Sequence, residues 1–192
     1  MKYRLVFLFL FFTVVGLAQS TVKIQWVQRK PAINSDTIFY TSKQKLTWSD
    51  FKGIPNARSE AIAITASGFG FISGVKYKEG KVNIDLSVYC YFGKNSSWVK
   101  GGKESTYALN HEQHHFDITY IATCLFMQKL KAANFTWENY NEVLNKVYAE
   151  SSKQLEKMQN DYDGQTKNGQ LENIQAVWDT KIVKQLAAII IN

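Results

Sequence analysis

Past its first eighteen residues the chain has no apolar run long enough to cross a bilayer, no basic stripe, no repeat and no low-complexity segment. Each absence removes a class of protein. A spanning helix needs roughly 20 consecutive apolar residues, so no stable membrane insertion is expected of residues 19–192. Nucleic-acid binding needs lysines and arginines gathered on one face. Here they are scattered singly along the chain, so the formal charge of +7 reads as solubility and no nucleic-acid partner is expected. Cysteine is scarce, with only Cys90 and Cys124 present. An oxidising compartment permits a disulfide between them, but each sits in an apolar pattern and reads as a buried free thiol. No interdomain linker is visible, and residues 19–192 suit one domain with its own core.

The N-terminus carries an export pattern. Met1-Lys2-Tyr3-Arg4 is a short basic start, residues 5–15 are apolar apart from Thr13, and Gly16-Leu17-Ala18 supplies the small residues a signal peptidase reads. An apolar run of about 11 residues suits a signal peptide and is short for a membrane anchor. The expectation is a signal peptide over 1–18, cut after Ala18, and a periplasmic or extracellular mature chain. Loss of Lys2 and Arg4 takes the formal charge from +7 to +5. No cysteine stands at the cut, so a lipid anchor is not expected.

Periodicity divides the mature chain in two. Val82, Ile84, Leu86, Val88, Cys90 and Phe92 alternate with Asn83, Asp85, Ser87, Tyr89 and Tyr91, which predicts a strand with one buried face. Glu79-Gly80 joins it in a hairpin to a preceding strand over 62–77, where Gly68, Gly70 and Gly74 suggest bends or bulges. Val22, Ile24, Trp26, Ile38, Phe39 and Tyr40 are further strand material, and Trp98-Val99 suits a short edge strand. From Ser105 onward the period becomes helical. Ser105 or Thr106 caps a helix whose inward stripe is His111, His115, Ile118, Ala122, Leu125 and Phe126. Thr136 caps a second helix, carrying Tyr140, Val143, Leu144, Val147, Leu155 and Met158. Residues 161–169, rich in Gly, Asn and Asp, read as a loop. A third helix starts near Gln170 and turns Ile174, Val177, Trp178, Ile182 and Leu186 inward. Strands first and helices afterwards is the α+β pattern: a small antiparallel sheet, then three helices.

All three histidines fall in one window, His111-Glu112-Gln113-His114-His115, which is the H-E-x-x-H pattern. At about 100° per residue, positions four apart lie about 40° apart around a helix and one turn along it. Two imidazoles can therefore grip one zinc ion at about 2.0–2.1 Å. Glu112 projects from the same turn, beside the ligands, and reaches water rather than metal. Zinc brings the pKa of such a water towards about 7, and a carboxylate then takes its proton as the oxygen attacks a carbonyl. His114, about 60° off the stripe, is expected to face solvent.

These residues resemble a known group. His111-Glu112-Gln113 and His115-Phe116-Asp117-Ile118 are similar to the H-E-Q-x-H-F-D core of the bacterial predicted secreted zinc-dependent proteases, domain-of-unknown-function family 922. Leu46-Thr47-Trp48-Ser49-Asp50-Phe51 resembles the family's L-x-W-x-D-F start, and Ser97-Trp98-Val99-Lys100 precedes the helix as it does there. Tyr162-Asp163-Gly164-Gln165-Thr166, then Gln175 and Trp178, resemble its closing Y-D-x-x-T and Q-x-x-W block. The resemblance spans nearly all of residues 19–192 and implies a zincin-like domain that hydrolyses peptide or protein substrates. It departs at one place: a histidine usually follows the family threonine by two residues, and Asn168 stands there.

Catalytic zinc takes three protein ligands and keeps one position open. With no histidine left, the third ligand must be acidic. Asp163 is the choice, Asp161 lies beside it, and Glu138, Glu142, Glu150 and Glu156 on the second helix are alternatives expected to be solvated. Asp117 points away and should pair with a backbone amide or a cation. Tyr162 is either a packed aromatic or an oxyanion donor, whereas Trp48, Trp98 and Trp178 read as packing. Three functions compete: an exported zinc peptidase, a degenerate homologue that binds a peptide or envelope partner without cleaving, and a structural envelope protein whose histidines pack locally.

Overall fold

The strand with the clearest alternation is the axis of the fold. In the computed structural model, which describes residues 21–27, 35–78, 81–136 and 138–189, β5 (Lys81–Gly93) buries Ile84, Leu86, Val88, Cys90 and Phe92 almost completely. The expected signal peptide and the Glu79-Gly80 turn lie outside the described residues. Along one edge of β5 runs β4 (Ser67–Lys78), antiparallel and in unbroken register from Ser67↔Phe92 to Lys78↔Lys81. No bulge interrupts that ladder, so Gly68 and Gly70 do not serve as bends. They make room for rings instead: a Cβ on Gly68 would lie 2.9 Å from the Tyr91 hydroxyl, and one on Gly70 2.8 Å from that of Tyr89.

The other edge of β5 is shared. β1 (Thr21–Trp26) pairs with its first half and β2 (Thr37–Phe39) with its last residues. β2 is antiparallel, but β1 is parallel, with Thr21↔Asn83 and Trp26↔Val88 in register. The sheet is therefore mixed rather than antiparallel. Alternation specifies which face of a strand is buried and says nothing of the direction of its neighbour. The expected strand over 62–77 is broken as well: Ala63–Ile64 forms β3, which leaves the main sheet to pair with β6 (Trp98–Val99).

Among the described residues, three helices cover one face. α1 (Thr106–Ala132) starts at Ser105, whose hydroxyl accepts from the Ala108 amide at 3.0 Å. α2 (Tyr140–Thr166) packs along α1, its first half reaching β4 where Tyr148 meets Phe69 and Phe71, and α3 (Glu172–Ala188) packs on α1 from the far side. Two apolar cores join α1 to the sheet, one around Leu86, Val88, Phe126 and Leu130, the other around Cys90, Phe92 and Phe116. A third, of Ile118, Ile121, Tyr162, Trp178 and Ile182, joins it to α2 and α3. α1 is thus the middle of three layers, and sixteen of its residues are buried. That accounts for a feature with no counterpart on an ordinary surface helix: His111, Glu112, Gln113, His114, Asp117, Thr119 and Thr123 are all buried.

Several expectations change. Residues 161–166 are helical, so Asp161 and Asp163 stand on α2 and not in a loop. Gly164 is tolerated inside that helix because Tyr162 and Thr166, both 0 % exposed, bury the face beside it. Val177 is 64 % exposed on α3 and does not face inward. Cys90 and Cys124 are free and buried, and burial raises both thiols, Cys124 to about 11. Among the described residues no helix is long and apolar enough to cross a membrane.

Leu86 is 0 % exposed at the centre of the sheet–α1 core. Leu86→Ala is expected to lower stability by about 2–5 kcal/mol, read as a lower urea midpoint at unchanged slope. A loss below about 1 kcal/mol would contradict this placement of the core.

Candidate metal centre

His111 and His115 lie one turn apart on α1 and reach the same point as Asp163 from α2. The Nε2 atoms of the two rings are 3.2 Å apart, and they lie 3.1 and 3.0 Å from Asp163 Oδ1. This His111–His115–Asp163 group could hold a metal ion. A cation held at about 2.0–2.1 Å by tetrahedrally placed atoms sets those atoms about 3.3 Å apart, so the observed separations need only a slight opening.

The outer nitrogens explain why the inner ones converge. His115 Nδ1 is 2.6 Å from Gln159 Oε1, and His111 Nδ1 is 2.9 Å from Gln175 Oε1. The orientation of each carboxamide is fixed by what its nitrogen does. Gln159 Nε2 donates to the His115 carbonyl at 2.9 Å and to Thr119 Oγ1 at 3.0 Å. Gln175 Nε2 donates to Asp179 Oδ1 at 2.7 Å and to the Tyr162 hydroxyl at 2.6 Å. Each Oε1 must therefore accept, which places a proton on Nδ1 of both histidines and leaves the Nε2 lone pairs facing Asp163. Three acceptors meeting at 3.0–3.2 Å repel unless a cation sits among them.

The titration behaviour points the same way. Burial lowers the affinity of His115 for a proton, but hydrogen bonding to Asp163 and the charge of Glu112 outweigh it and leave the pKa raised. Burial alone would raise the Asp163 carboxyl. The hydrogen bonding and charge available from His111 and His115 outweigh that and hold it well below the usual carboxylate range.

Tyr162 and Gly169 clamp the His111 ring. Tyr162, completely buried, stacks on it at 4.6 Å between centroids and 19° between planes. Its hydroxyl accepts from Gln175 and reaches the His111 carbonyl at 3.4 Å, so it is a packed support and not an oxyanion donor. Beyond α2, Lys167, Asn168 and Gly169 take three successive left-handed conformations, with φ of 50°, 52° and 77°. A Cβ on Gly169 would stand 3.2 Å from His111 Cγ and Nδ1, so glycine suits both the backbone and the contact.

Glu112 completes the centre. It is 4 % exposed, and its Oε2 is buried without a hydrogen-bond partner. With the three metal-capable residues it lines a cleft of about 340 Å³ whose floor is α1, whose walls are α2 and the strand segment 61–67, and which Asn168 also borders.

The remaining polar residues of α1 hold the layers together. His114 is buried rather than solvent-facing, because α3 covers that side. Its Nδ1 is 3.2 Å from Asp117 Oδ2, and its Nε2 is 3.0 Å from Asp179 Oδ1 but off the line of a hydrogen bond. Asp117, 1 % exposed, does point away from the metal-capable group. It accepts from the Tyr40 hydroxyl and from Gln113 Nε2, each at 2.9 Å, with Lys45 Nζ at 3.6 Å. Gln113 Oε1 in turn accepts from the Leu46 amide at 2.8 Å. These contacts fasten residues 40–46 to α1. Burial pushes the Asp117 carboxyl up, but His114, Lys45, Gln113 and Tyr40 outweigh it and leave it lowered.

Glu142, Glu150 and Glu156 are exposed on α2, and Glu138 is exposed just before it. The metal-capable group includes none of the four. Trp178 packs in the third core and Trp48 against the second. Sequence reasoning gave no role to Gln159, Asp179 or Gly169. The signal for the first two was spacing: Gln159 precedes Asp163 by one turn, and Asp179 follows Gln175 by one.

No protein-family model, curated protein or solved structure matches this chain.

Two outcomes are expected. The protein should bind one divalent metal ion by calorimetry; His115→Ala or Asp163→Ala should abolish binding, and Gln175→Ala should weaken it about 10–100-fold. Unchanged affinity in all three would contradict the assignment. Separately, a carboxyl lowered from 3.8 in the folded state stabilises above that value and loses its contribution as pH falls through its folded pKa. The stability gap between wild type and Asp117→Asn should thus be level from about pH 5 to 8 and close below about pH 4 in urea titrations. A gap that widens in acid would reverse the sign of the argument.

Proposed function

We propose that this chain is a zinc-dependent peptidase with a zincin-like site, in which His111, His115 and Asp163 hold the metal and Glu112 is the general base. The observation that carries the reading is Glu112 Oε2, buried and without a hydrogen-bond partner in the cleft that the three ligand atoms share. Buried polar atoms normally have a hydrogen-bond partner, so an unpartnered one in a cleft marks a place for a ligand or water. Two imidazoles, one carboxylate and an open side match the donor set of catalytic zinc.

Bound zinc supplies positive charge that acidifies water and polarises a carbonyl. The chain's own residues supply the rest. Glu112 removes a proton from water as the oxygen bonds to the scissile carbonyl carbon. The same carboxyl returns the proton to the departing amine as the C–N bond breaks, so one water is consumed and two peptides leave. Gln159 and Gln175 keep both Nε2 lone pairs directed at the metal position, and Tyr162 and Gly169 stop the His111 ring from turning.

The resemblance to the predicted secreted zinc-dependent proteases belongs to this reading, as does export of the mature chain. Asn168, standing where that family usually has histidine, leaves a complete set of three ligands because Asp163 is among them.

Zinc-loaded protein is expected to cleave peptides, to stop when a chelator is added and to recover when zinc is returned. Glu112→Gln should keep fold and zinc while cleaving about 10²–10⁴-fold more slowly. Full activity in that variant would overturn the mechanism. A wild-type protein that binds zinc and peptide without turnover would instead be the non-catalytic homologue.

A further inference from the structure

The α2 wall of the cleft carries a carboxylate that the proposed chemistry does not use. Glu156 is exposed two turns before Asp163 and lines the same cleft. Among the described residues no hydrogen bond or ion pair engages it. The acidic groups of the lining are Glu112, Glu156 and Asp163, and no lysine or arginine joins them, although the whole chain has a formal charge of +7. A divalent ion at the His111–His115–Asp163 group would balance Asp163 and Glu112. Glu156 stays uncompensated.

The opposite wall offers backbone. The Ile62 carbonyl accepts from the Lys100 amide at 2.8 Å, the Ala66 amide donates to Ser97 Oγ at 2.9 Å, and the Ala66 carbonyl accepts from Gly93 at 2.8 Å. Residues 62, 64 and 66 therefore direct their amides and carbonyls inward, towards β6 and the strands behind it. By the two-residue alternation of a strand, Ala63 and Thr65 turn theirs to the other edge, where β3 has no partner strand among the described residues. The Thr65 hydroxyl donates to the Glu112 carbonyl at 3.1 Å and fixes that edge beside the site. Ile62 and Ile64, each 40 % exposed, give the wall an apolar surface. The orphaned Glu112 Oε2 is independent evidence that the cleft is built around a ligand.

We propose that the cleft takes an extended peptide paired with the free edge of β3, and that Glu156 on the facing wall selects a lysine or arginine in it. The inference rests on the peptidase reading for what is cut, but its binding half can be tested alone. Main-chain pairing supplies affinity without regard to sequence, and one carboxylate across the cleft supplies the preference.

The test uses a fully randomised decapeptide library. Cleavage products of the zinc-loaded wild type are sequenced, and so is the fraction retained by immobilised, zinc-loaded Glu112→Gln protein. Lysine and arginine should be enriched about fivefold at one position, as a partly screened ion pair of about 1 kcal/mol allows. Glu156→Gln should remove the enrichment and Glu156→Lys should replace it with aspartate and glutamate; the site is exposed, so neither change disturbs the core. A basic preference that survives Glu156→Lys, or none in the wild type, overturns the inference. Selective retention without cleavage keeps it and overturns the peptidase reading. Cleavage with no basic preference does the opposite, and neither retention nor cleavage overturns both.

Discussion

Two glutamine carboxamides decide which nitrogen each histidine of the centre presents. A neutral imidazole has one donor and one acceptor, and either tautomer is accessible in water. Here Gln159 and Gln175 each accept a proton from Nδ1, and each is held in that orientation by carbonyl, hydroxyl or carboxylate partners of its own nitrogen. With Nδ1 occupied, two lone pairs and a carboxylate oxygen are forced together at 3.0–3.2 Å. The capacity to hold a cation, the lowered Asp163 carboxyl and the raised His115 all follow from that convergence.

Such preorganisation needs a helix that is covered on both sides. An exposed helix would let water compete for each imidazole and carboxamide. α1 lies between the sheet and the α2–α3 layer, so its polar residues find partners in the protein or have none. Gln113 and Asp117 serve the sheet side by fastening residues 40–46. His111 and His115 serve the α2–α3 side through Gln175 and Gln159. His114 lies between Asp117 and Asp179, and so links the two sides. One five-residue window thereby assembles the centre and also ties together the three layers that shelter it.

Much of this was legible in the chain because two signals are local. Strict alternation over residues 82–92 specifies the buried face of β5, and Ser105 followed by a helical stripe specifies where α1 begins. The i, i+4 spacing of His111 and His115 is likewise a property of one helix. What failed to show depends on long-range packing. The parallel direction of β1 leaves no trace in its own alternation. Burial of His114 requires α3, which lies sixty residues further along the chain. The glycine and asparagine content of residues 161–169 suggested a loop, yet packing of Tyr162 and Thr166 carries α2 through Gly164. Acidity and motif point to Asp163, but its reach to the histidines is a consequence of that helical extension.

Nitrogen-15 NMR of the histidine rings observes the protonation of each ring nitrogen directly. In zinc-free protein at alkaline pH, where both rings are neutral, His111 and His115 should each carry their single proton on Nδ1. Added zinc should move both Nε2 resonances at a stoichiometry of one ion per chain, with Nδ1 still protonated. Resonances that ignore zinc, or coordination through Nδ1, would contradict the account.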